Sequence, residues 1–408
     1  MMNAIALPDI LEAEIAGRTV LVRADLNVPM HHGVVSDATR IIRFAPTVAA
    51  LQQRGAKVVV LSHLGRPKGT HNPVHSLAPV ANALSQELDT PVRFGSDCVG
   101  GAAEAVSRTL EPGSVAMLEN LRFHEGEEAN DRAFAYLLSA NGDIFVNDAF
   151  SCSHRAHAST DAITRLMPSY AGPSLLAEVE ALTLALDDPD RPVAAVVGGA
   201  KVSTKIDILT HLVSKVDFLI IGGGMANTFL AAFGHDVGRS LYEPDALATA
   251  RRVLVQAQKH NCEVVLPNDL VVARDFAANA PSEVAPISAI PSDAMALDIG
   301  PASLESAIGV LERCRTLLWN GPLGAFEIEP FGRATFALAQ AAAGLTAAGR
   351  LLTVAGGGDT AAALGAAGVA DRFTYLSTAG GAFLEWLEGK QLPGIAALTS
   401  PESAMENI

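Results

Sequence analysis

The sequence has no long uninterrupted hydrophobic run, although 49% of its 408 residues are apolar. The most apolar window, residues 218–233, is broken by Gly222, Gly223, Gly224 and Asn227. A membrane-spanning helix needs about 20 predominantly apolar residues, so we predict no contact with a membrane. The N-terminus also lacks a basic segment followed by a clean apolar stretch, and we expect no signal peptide.

Cysteine is scarce. Cys98, Cys152, Cys262 and Cys314 lie far apart in the sequence and include no Cys-x-x-Cys pair. This spacing does not indicate a disulfide framework, and it is typical of small core residues in a reducing compartment. We therefore predict a cytoplasmic protein.

Basic residues are also few: 29 Lys and Arg stand against 44 Asp and Glu, a net charge of −15. Binding to a phosphate backbone needs a basic face, so we predict no nucleic-acid partner. The negative charge is unevenly distributed: the first 170 residues carry only −4 of the total −15. They also contain eight of the eleven histidines. Of the two halves, the first is therefore the better host for a small anion.

Three common nucleotide-binding signatures are missing. The phosphate-loop pattern GxxxxGK[ST] is absent, and so are the HRD and DFG segments of protein kinases. Gly222-x-Gly224 has no third glycine at the required position, and no acidic residue closes a following strand. These absences argue against a P-loop NTPase, a protein kinase and a dinucleotide-binding dehydrogenase.

Short β-branched apolar runs alternate with amphipathic stretches of helical length, such as residues 39–54 and 243–260. Because the apolar runs are continuous, we expect strands that are buried on both faces, as in parallel sheets. Repeated strand–helix alternation predicts an α/β protein with doubly wound parallel sheets. The predicted strands are residues 19–23, 57–62, 114–118, 143–147, 194–197, 218–221, 263–266, 316–319, 351–354 and 375–378.

A chain of 408 residues is too long for one comfortable core, so two domains are expected. The best boundary is the segment 171–192, in which a helical pattern begins at a Gly-Pro pair and ends in a charged turn with proline. We predict an N-terminal domain over residues 1–172, an interdomain helix over 173–190 and a C-terminal domain over 191–390.

Arginine and histidine follow several predicted strands of the first half. Ligands of open parallel sheets bind at the carboxyl ends of the strands, so these residues are candidates for a site. The arginine fork suits phosphate and carboxylate groups, and converging cations favour a small polyanion. One such arginine alone is more typical of a solvated surface charge, but the set predicts an anion site. Its members are Arg40, Arg66, Arg122 and Arg155.

Glycine follows the predicted strands of the second half. Glycine permits close backbone approach to a ligand, and a helix N-terminus directs free N–H groups at an anion. One such turn is weak evidence, because tight turns need glycine anyway, but five at one sheet edge predict nucleotide phosphates. Lys201 and Lys205 are predicted to share a face on the first turns of a helix, and Asp359 to hold Mg²⁺. The glycines are Gly199, Gly222, Gly223, Gly357, Gly358, Gly380 and Gly381.

Nine segments, in order along nearly the whole chain, resemble the signature segments of the phosphoglycerate kinase family. They are RADLNVP, LSHLGRPKG, LENLRFHEGEEAND, VNDAFSCSHRAHAST, GGAKVSTK, IIGGGMANTFL, WNGPLGAFE, GGGDT and LPGIAAL. The resemblance implies two Rossmann-like domains facing a central cleft in a monomer, with residues 391–408 packing back on the N-terminal domain. It also implies reversible, Mg²⁺-dependent phosphoryl transfer between ATP and the carboxylate of 3-phosphoglycerate.

The same resemblance implies roles for single residues. Asp25 and Asn27 would hold the glycerate part of the substrate, while His63, Arg66, Arg122 and Arg155 would bind its 3-phosphate. Arg40 would sit at the reacting carboxyl, and Lys201 and the amides of Gly380 and Gly381 would stabilise the phosphoryl group in flight. Lys205 would hold nucleotide phosphates; Asn320, Pro322 and Glu327 would line the adenosine site; Gly357, Gly358, Asp359 and Thr360 would cap the phosphates and place magnesium.

Two segments depart from the family pattern. Ala379 precedes Gly380 and Gly381 where a third glycine is usual, so we expect Ala379 to adopt a backbone conformation normally left to glycine. Ser151-Cys152-Ser153 stands where Gly-Thr-Ala is commoner.

Two other classes of function compete with the kinase. A nicotinamide-dependent dehydrogenase accounts for α/β sheets and glycines but not for the arginine set. A non-catalytic, two-lobed anion-binding protein accounts for the arginines but leaves Lys201, Lys205 and the GGGDT segment without a role.

Overall fold

The computed structural model describes residues 6–399 and divides the chain into two compact units. Among the described residues, the N-terminal unit comprises residues 6–179 together with 391–399, and the C-terminal unit is Glu180–Lys390. Within the described residues, each helix falls short of the length and apolar character needed to cross a membrane.

A six-stranded parallel sheet forms the centre of the N-terminal unit, in the order β5-β6-β4-β1-β7-β8. Its inner strands are almost wholly buried, as their continuous apolar sequences require. A short antiparallel hairpin, β2 with β3, lies outside the sheet. The strands are β1 (Thr19–Arg23), β2 (Met30–His31), β3 (Val34–Val35), β4 (Lys57–Leu61), β5 (Val92–Gly95), β6 (Val115–Leu118), β7 (Ile144–Asn147) and β8 (Ser169–Ala171).

Helices connect these strands. The α-helices are α1 (Thr39–Gln53), α2 (Ala78–Glu87), α3 (Gly100–Ser107), α4 (Glu125–Glu128), α5 (Arg132–Ser139) and α6 (Pro173–Leu186). Single 3₁₀ turns occupy Ile10–Glu12, Pro73–His75, Leu121–Phe123, Phe150–Cys152 and Ala162–Arg165.

A second six-stranded parallel sheet forms the centre of the C-terminal unit, in the order β11-β10-β9-β15-β16-β17. A smaller antiparallel sheet has the order β13-β12-β14. The strands are β9 (Val193–Val197), β10 (Phe218–Ile221), β11 (Glu263–Val265), β12 (Asp269–Ala273), β13 (Ser282–Pro286), β14 (Met295–Ile299), β15 (Thr316–Asn320), β16 (Leu352–Gly356) and β17 (Tyr375–Ser377).

The helices of this unit begin at or near the strand ends. They are α7 (Ile206–Leu212), α8 (Gly223–Ala232), α9 (Leu247–Lys259), α10 (Pro301–Arg313), α11 (Arg333–Ala347), α12 (Gly358–Ala366) and α13 (Gly381–Leu387), with 3₁₀ turns at Pro244–Ala246 and Ala370–Arg372. The predicted helical stretch 243–260 is thus a 3₁₀ turn followed by α9. The predicted fold class, α/β with two doubly wound parallel sheets, is confirmed.

The division between the units falls inside helix α6. Its start is fixed by Asp148, whose carboxylate accepts the free N–H groups of Ser174 (2.7 Å) and Leu175 (3.1 Å). Its end is closed by the N–H groups of Asp187 and Asp188, both bonded to Thr183 O. The helix is therefore shorter than the predicted span 173–190, because residues 187–192 turn out of it.

Helix α14 (Pro393–Thr399) belongs to the N-terminal unit although it follows the C-terminal unit in sequence. Gly394 N–H donates to Ser153 O at 2.9 Å, and Asn147 Nδ2 donates to Gly394 O at 3.2 Å. Residues 400–408 of the predicted tail lie outside the described residues.

Two loops at the carboxyl end of the C-terminal parallel sheet, those after β9 and β15, meet with no room for side chains. A Cβ on Gly198 would lie 1.7 Å from Pro322 O, and one on Gly321 would lie 2.3 Å from Gly198 O. These glycines are therefore required by close backbone approach between loops, independently of any ligand.

We expect Gly198→Ala to lower the free energy of unfolding by about 3 kcal/mol or more, because the loop after β15 must shift to admit the methyl group. Gly344→Ala is the matched control: it lies in α11 with nothing within 4 Å of an added Cβ, and we expect a gain of about 0.5–1 kcal/mol. Urea unfolding of both variants measures the difference. Equal effects at the two positions would contradict the loop contact.

Candidate functional site

Asp25 connects three of the predicted anion-site segments. It follows β1, and its Oδ2 accepts hydrogen bonds from Arg40 Nη1 and from the Ser151 hydroxyl. Asn27 Oδ1 accepts Gly65 N–H at 2.8 Å, which joins the loops after β1 and β4. A pocket of about 440 Å³ lies beside them, and it is lined by Asn27, Val28, Pro29, Asp37 and Arg40. Ser151, which stands where the family pattern commonly has glycine, thus donates its hydroxyl hydrogen to Asp25, a residue predicted to bind the substrate.

His63 is buried beside a guanidinium. Burial and the charge of Arg23 hold the pKa of His63 well below its usual range, so its ring is neutral. Arg23 Nη2 lies 3.0 Å from His63 Nδ1, which therefore accepts, and the ring proton is on Nε2. His63 can act in this form as a neutral donor to an anion.

The three arginines predicted for a phosphate differ in exposure. Arg122 is buried: its Nη1 donates to Gly65 O at 2.9 Å, and its Nε lies 3.2 Å from Glu128 Oε1. Burial is the main cause of the lowered pKa of Arg122, and Glu128 opposes it. Arg66 and Arg155 are exposed, and Arg155 Nε donates to His154 Nε2 at 3.1 Å.

The sequence reasoning missed Arg23, the last residue of β1. It is fully buried, and its Nε donates to Ser159 Oγ at 2.9 Å while Nη2 contacts His63. The one signal in the sequence is a charged residue that closes an otherwise apolar strand, TVLVR. Arg23 adds a fixed positive charge beside His63, and this charge also acts on Arg122.

In the C-terminal unit, Lys205 holds strand ends together. Its Nζ donates to Gly198 O (2.6 Å), Asn320 Oδ1 (2.7 Å) and Asn320 O (3.2 Å). Burial lowers the pKa of Lys205 to about 8, and Asp359 opposes the shift. Helix α7 begins only at Ile206, so the prediction that Lys201 and Lys205 share a helical face is wrong. Lys201 is exposed.

Asn320 and Thr360 bridge neighbouring loops. Asn320 Nδ2 donates to Gly356 O at 2.8 Å, and Thr360 Oγ1 accepts Gly321 N–H at 2.7 Å. Together with Lys205, these bonds join the ends of β9, β15 and β16. Both side chains are buried, and their hydrogen bonds hold the loops together.

A pocket of about 530 Å³ lies in the C-terminal unit. Five predicted residues line it: Gly199, Gly223, Pro322, Glu327 and Asp359. The rest of its wall comes mainly from apolar groups of α8, of the antiparallel sheet and of the loops beside them, which the sequence reasoning missed. They include Ala226, Leu241, Leu270, Phe276, Met295 and Leu297.

Two glycine turns face open space. Gly357 has a φ of 99° and precedes α12, and a Cβ on Gly358 or on Gly380 would meet nothing within 4 Å. The first N–H groups of α12 are therefore accessible to an anion. In contrast, Cβ atoms on Gly222 and Gly223 would strike Leu323 and Gly199, so close packing requires these two glycines.

Ala379 does not adopt the glycine-like backbone that we expected. In the described residues, positive φ outside glycine occurs at His32, Lys68, Asp89, Asn130, Asn261 and Asn279. Gly380 has a φ of −72°, an angle open to any residue, and Ala379 N–H donates to Ser377 Oγ at 3.1 Å. The alanine is tolerated because this turn has no left-handed residue.

Together these features define a two-unit α/β protein with a cluster of guanidinium groups at one sheet and a mostly apolar pocket beside glycine turns at the other. The family model described as phosphoglycerate kinase matches residues 10–390. The chain belongs to the phosphoglycerate kinase family.

Individual relatives agree with the family model. The chain is 58% identical to a phosphoglycerate kinase of Methylorubrum extorquens over 382 residues, covering 94% of this chain and 96% of that one. It is 58% identical to that of Agrobacterium fabrum over 388 residues, covering 95% and 97%. The solved structure from Coxiella burnetii is 42% identical with a TM-score of 0.91, covering 97% and 99%. That from Pyrococcus horikoshii is 29% identical with a TM-score of 0.80, covering 96% and 98%.

Membership of the family gives the class of reaction. The protein is a phosphotransferase that moves a phosphoryl group between ATP and 3-phosphoglycerate, a step of glycolysis. The predicted kinase is thereby confirmed.

Asp298 is a buried carboxylate in the pocket wall, 4% exposed. Its oxygens accept the N–H groups of Ile299 (2.9 Å) and Ala334 (3.0 Å), and a Cβ on Gly324 would lie 2.4 Å from Oδ1. Burial raises the pKa of Asp298 from an ordinary 3.8 to about 7. Sequence reasoning missed this group, since it lies in a strand, β14, that was not predicted.

The raised pKa of Asp298 predicts a pH-dependent stability. Between pH values of about 4 and 7 the folded state holds this proton and the unfolded state does not, so the free energy of unfolding falls as pH rises. Asp298→Asn cannot ionise and lacks this contribution. We expect the stability of the parent, relative to this variant, to fall by an amount on the order of a few kcal/mol across the window.

Urea unfolding at intervals across this pH window measures the difference. Asp371→Asn, at an exposed position, is the control and should show a much weaker pH trend relative to the parent. If the difference in unfolding free energy between the parent and Asp298→Asn stayed constant across this pH window, the proposed protonation of buried Asp298 would be contradicted.

Proposed function

We propose that the N-terminal unit binds 3-phosphoglycerate or 1,3-bisphosphoglycerate and that the C-terminal unit binds ATP or ADP. The observation that carries the proposal is the difference between the two sheet ends. One collects Arg23, Arg40 and Arg122 around a neutral histidine, which suits a small polyanion. The other has a pocket with apolar walls beside free helix N–H groups, which suits a nucleoside with phosphates.

In the N-terminal unit, exposed Arg66 and Arg155 are proposed to bind the 3-phosphate together with Arg122 and His63. Their exposed guanidinium groups can form charge-assisted hydrogen bonds with phosphate, and the Arg155 Nε–His154 bond leaves the Nη groups of Arg155 for the anion. Arg122 and His63 are already oriented by Gly65 O and Arg23, which lowers the entropy lost on binding.

Asp25 and Asn27 are proposed to bind the glycerate part of the substrate, with Arg40 at its carboxyl group. Arg40 and Asn27 both line the pocket in this unit, which supports the assignment. The Ser151 hydroxyl and Arg40 orient the Asp25 carboxylate, so its free lone pairs can accept a substrate hydroxyl.

In the C-terminal unit, the pocket between α8 and β14 is proposed to take the adenosine. Pro322 and Glu327 lie in its wall, so Glu327 is available to accept ribose hydroxyls. Gly199, Gly222, Gly223, Gly357, Gly358 and Thr360 would form the phosphate edge. Lys205 Nζ and Asn320 Nδ2 donate to loop oxygens and so would shape that edge, and Lys205 would bring positive charge to the phosphates.

Asp359 fits a magnesium role. It is exposed in the first turn of α12 and lines the pocket, and a carboxylate oxygen is the ligand that Mg²⁺ prefers. Bound with the nucleotide, the ion would neutralise charge on the phosphate oxygens.

The acceptor is a carboxylate that is ionised at neutral pH, so the transfer needs no general base. Positioning in line and stabilisation of the moving charge then supply the catalysis. Arg40, Lys201 and the amides of Gly380 and Gly381 are proposed to provide that stabilisation. Because donor and acceptor would bind different units, transfer requires a hinge-bending closure that aligns them and expels water.

The cellular setting is part of the proposal. Cys98, Cys152, Cys262 and Cys314 are all unpaired and buried, which supports a reducing cytoplasm. A monomer is proposed because each proposed substrate site is assembled from loops of one unit of this chain.

A coupled assay tests the proposed division of substrates. Purified protein with Mg-ATP and 3-phosphoglycerate should drive NADH loss through glyceraldehyde-3-phosphate dehydrogenase, and omission of Mg²⁺ or either substrate should stop it. Arg66→Ala should raise the KM for 3-phosphoglycerate and leave that for ATP unchanged. Binding of NAD(H) without binding of ATP would favour a dehydrogenase. Binding of 3-phosphoglycerate without turnover would favour a non-catalytic binding protein.

Lys201→Ala should reduce kcat more than about a hundredfold, the loss typical of one strong electrostatic group in a transition state. The KM values should change little, because Lys201 is exposed and is proposed to act on the moving phosphoryl group. Lys259→Ala, at the exposed end of α9 in the same unit, should leave kcat unchanged. Retained activity in Lys201→Ala would exclude the proposed role.

A further inference from the structure

Two clusters within residues 6–399 combine a carboxylate, an imidazole and a thiol whose ligand atoms all lie within 4.8 Å of one another. One is Asp25, His63 and Cys152, and the other is Asp97, Cys98 and His124. The two sets have the same donor chemistry, so their surroundings decide which of them suits a cation.

The first cluster lies in a positive field. The charged groups that act on His63 include Arg23, Arg122 and Arg40, and Asp25 is already paired with Arg40. Guanidinium groups repel a metal cation and occupy the carboxylate that would bind it. This cluster is therefore a poor metal site.

The second cluster lies in a negative field. The charged groups that act on the Cys98 thiol are the carboxylates of Asp97 and Glu127. Asp97 follows β5 and His124 follows the 3₁₀ turn after β6, so two neighbouring parallel strands bring the ligands together. The Asp97 and His124 side chains are 44% and 31% exposed, which gives an ion a path from solvent to the buried sulfur.

We propose that Asp97, Cys98 and His124 form a binding site for Zn²⁺. Thiolate and imidazole ligands favour zinc over magnesium, so the site is distinct in its metal from the nucleotide's Mg²⁺. On binding, the Cys98 S–H releases its proton to solvent, and the thiolate and the Asp97 carboxylate together balance the two positive charges. Three protein ligands leave the fourth position of a tetrahedral ion to water.

Zinc binding requires a rearrangement within the cluster. Ligand atoms around a tetrahedral zinc lie roughly 3.3–3.7 Å apart, given its usual bond lengths. His124 Nε2 and Asp97 Oδ1 are now 2.7 Å apart in a direct hydrogen bond, and Asp97 Oδ1 also accepts the Cys98 N–H at 2.6 Å, so the His124–Asp97 pair must open. Partly exposed side chains allow that rotation. His124 also stacks on Phe134 with 5.1 Å between ring centroids, which keeps the imidazole near the site.

Metal titration of the full-length protein tests the site. After chelator treatment, Co²⁺ as a spectroscopic probe should bind at one equivalent and produce a thiolate-to-metal charge-transfer band with intense four-coordinate visible bands. Zn²⁺ should displace it, and competition with a chromophoric chelator gives the Zn²⁺ Kd. Absence of saturable Co²⁺ binding with a thiolate band would overturn the proposal.

Variants assign the ligands. Cys98→Ser should abolish the charge-transfer band, and His124→Gln should weaken Zn²⁺ binding at least about tenfold. Cys152→Ser tests the competing cluster, and Cys262→Ser is a buried control in the other unit; both should keep the band. If Cys98→Ser fails to fold, the partly exposed His124→Gln decides alone. Unchanged affinity in His124→Gln, or loss of the band in Cys152→Ser, would exclude this site.

Discussion

The loops after β9 and β15, at the carboxyl end of the C-terminal parallel sheet, depend on one partly buried ammonium group for their arrangement. The loops after β9 and β15 approach so closely that Gly198 O has no space for a neighbouring side chain. Carbonyl oxygens crowded in this way need a donor, and Lys205 Nζ supplies hydrogen bonds to Gly198 O and to both oxygens of Asn320. Burial of the charge lowers the pKa of Lys205 to about 8. The pocket beside Gly199 and Pro322 keeps its shape because these loops are held in place.

The central sheets were predictable from the sequence because parallel strands buried on both faces read as continuous apolar runs. TVLVR and TLLW, for example, became β1 and the buried strand β15. The short strands were not predictable in this way. β13 has one buried residue in five, and the two-residue strands β2 and β3 have no period to detect.

The strand-end rule pointed to loops that the structure joins: Asp25 accepts a hydrogen bond from Arg40, and Asn27 accepts one from Gly65, in the loop that contains His63. It could not reveal the groups behind them. Arg23 was counted as part of a strand, and Asp298 lies in a strand without a sequence signal. Whether a lysine side chain faces a ligand or its own loops also depends on backbone geometry. Lys205 precedes the first residue of α7, and its ammonium group is bonded to the loops after β9 and β15.

Helix α14 sets a condition on the order of assembly. The C-terminal unit is one continuous segment, whereas the N-terminal unit needs Gly394 beside Ser153 and Asn147. During synthesis the ribosome releases the N-terminal sheet long before it releases this helix. The N-terminal sheet can therefore form before α14 exists, but Asn147 and Ser153 then lack their hydrogen bonds to Gly394. These bonds form only after more than two hundred further residues have emerged. The chain completes the first-made unit last.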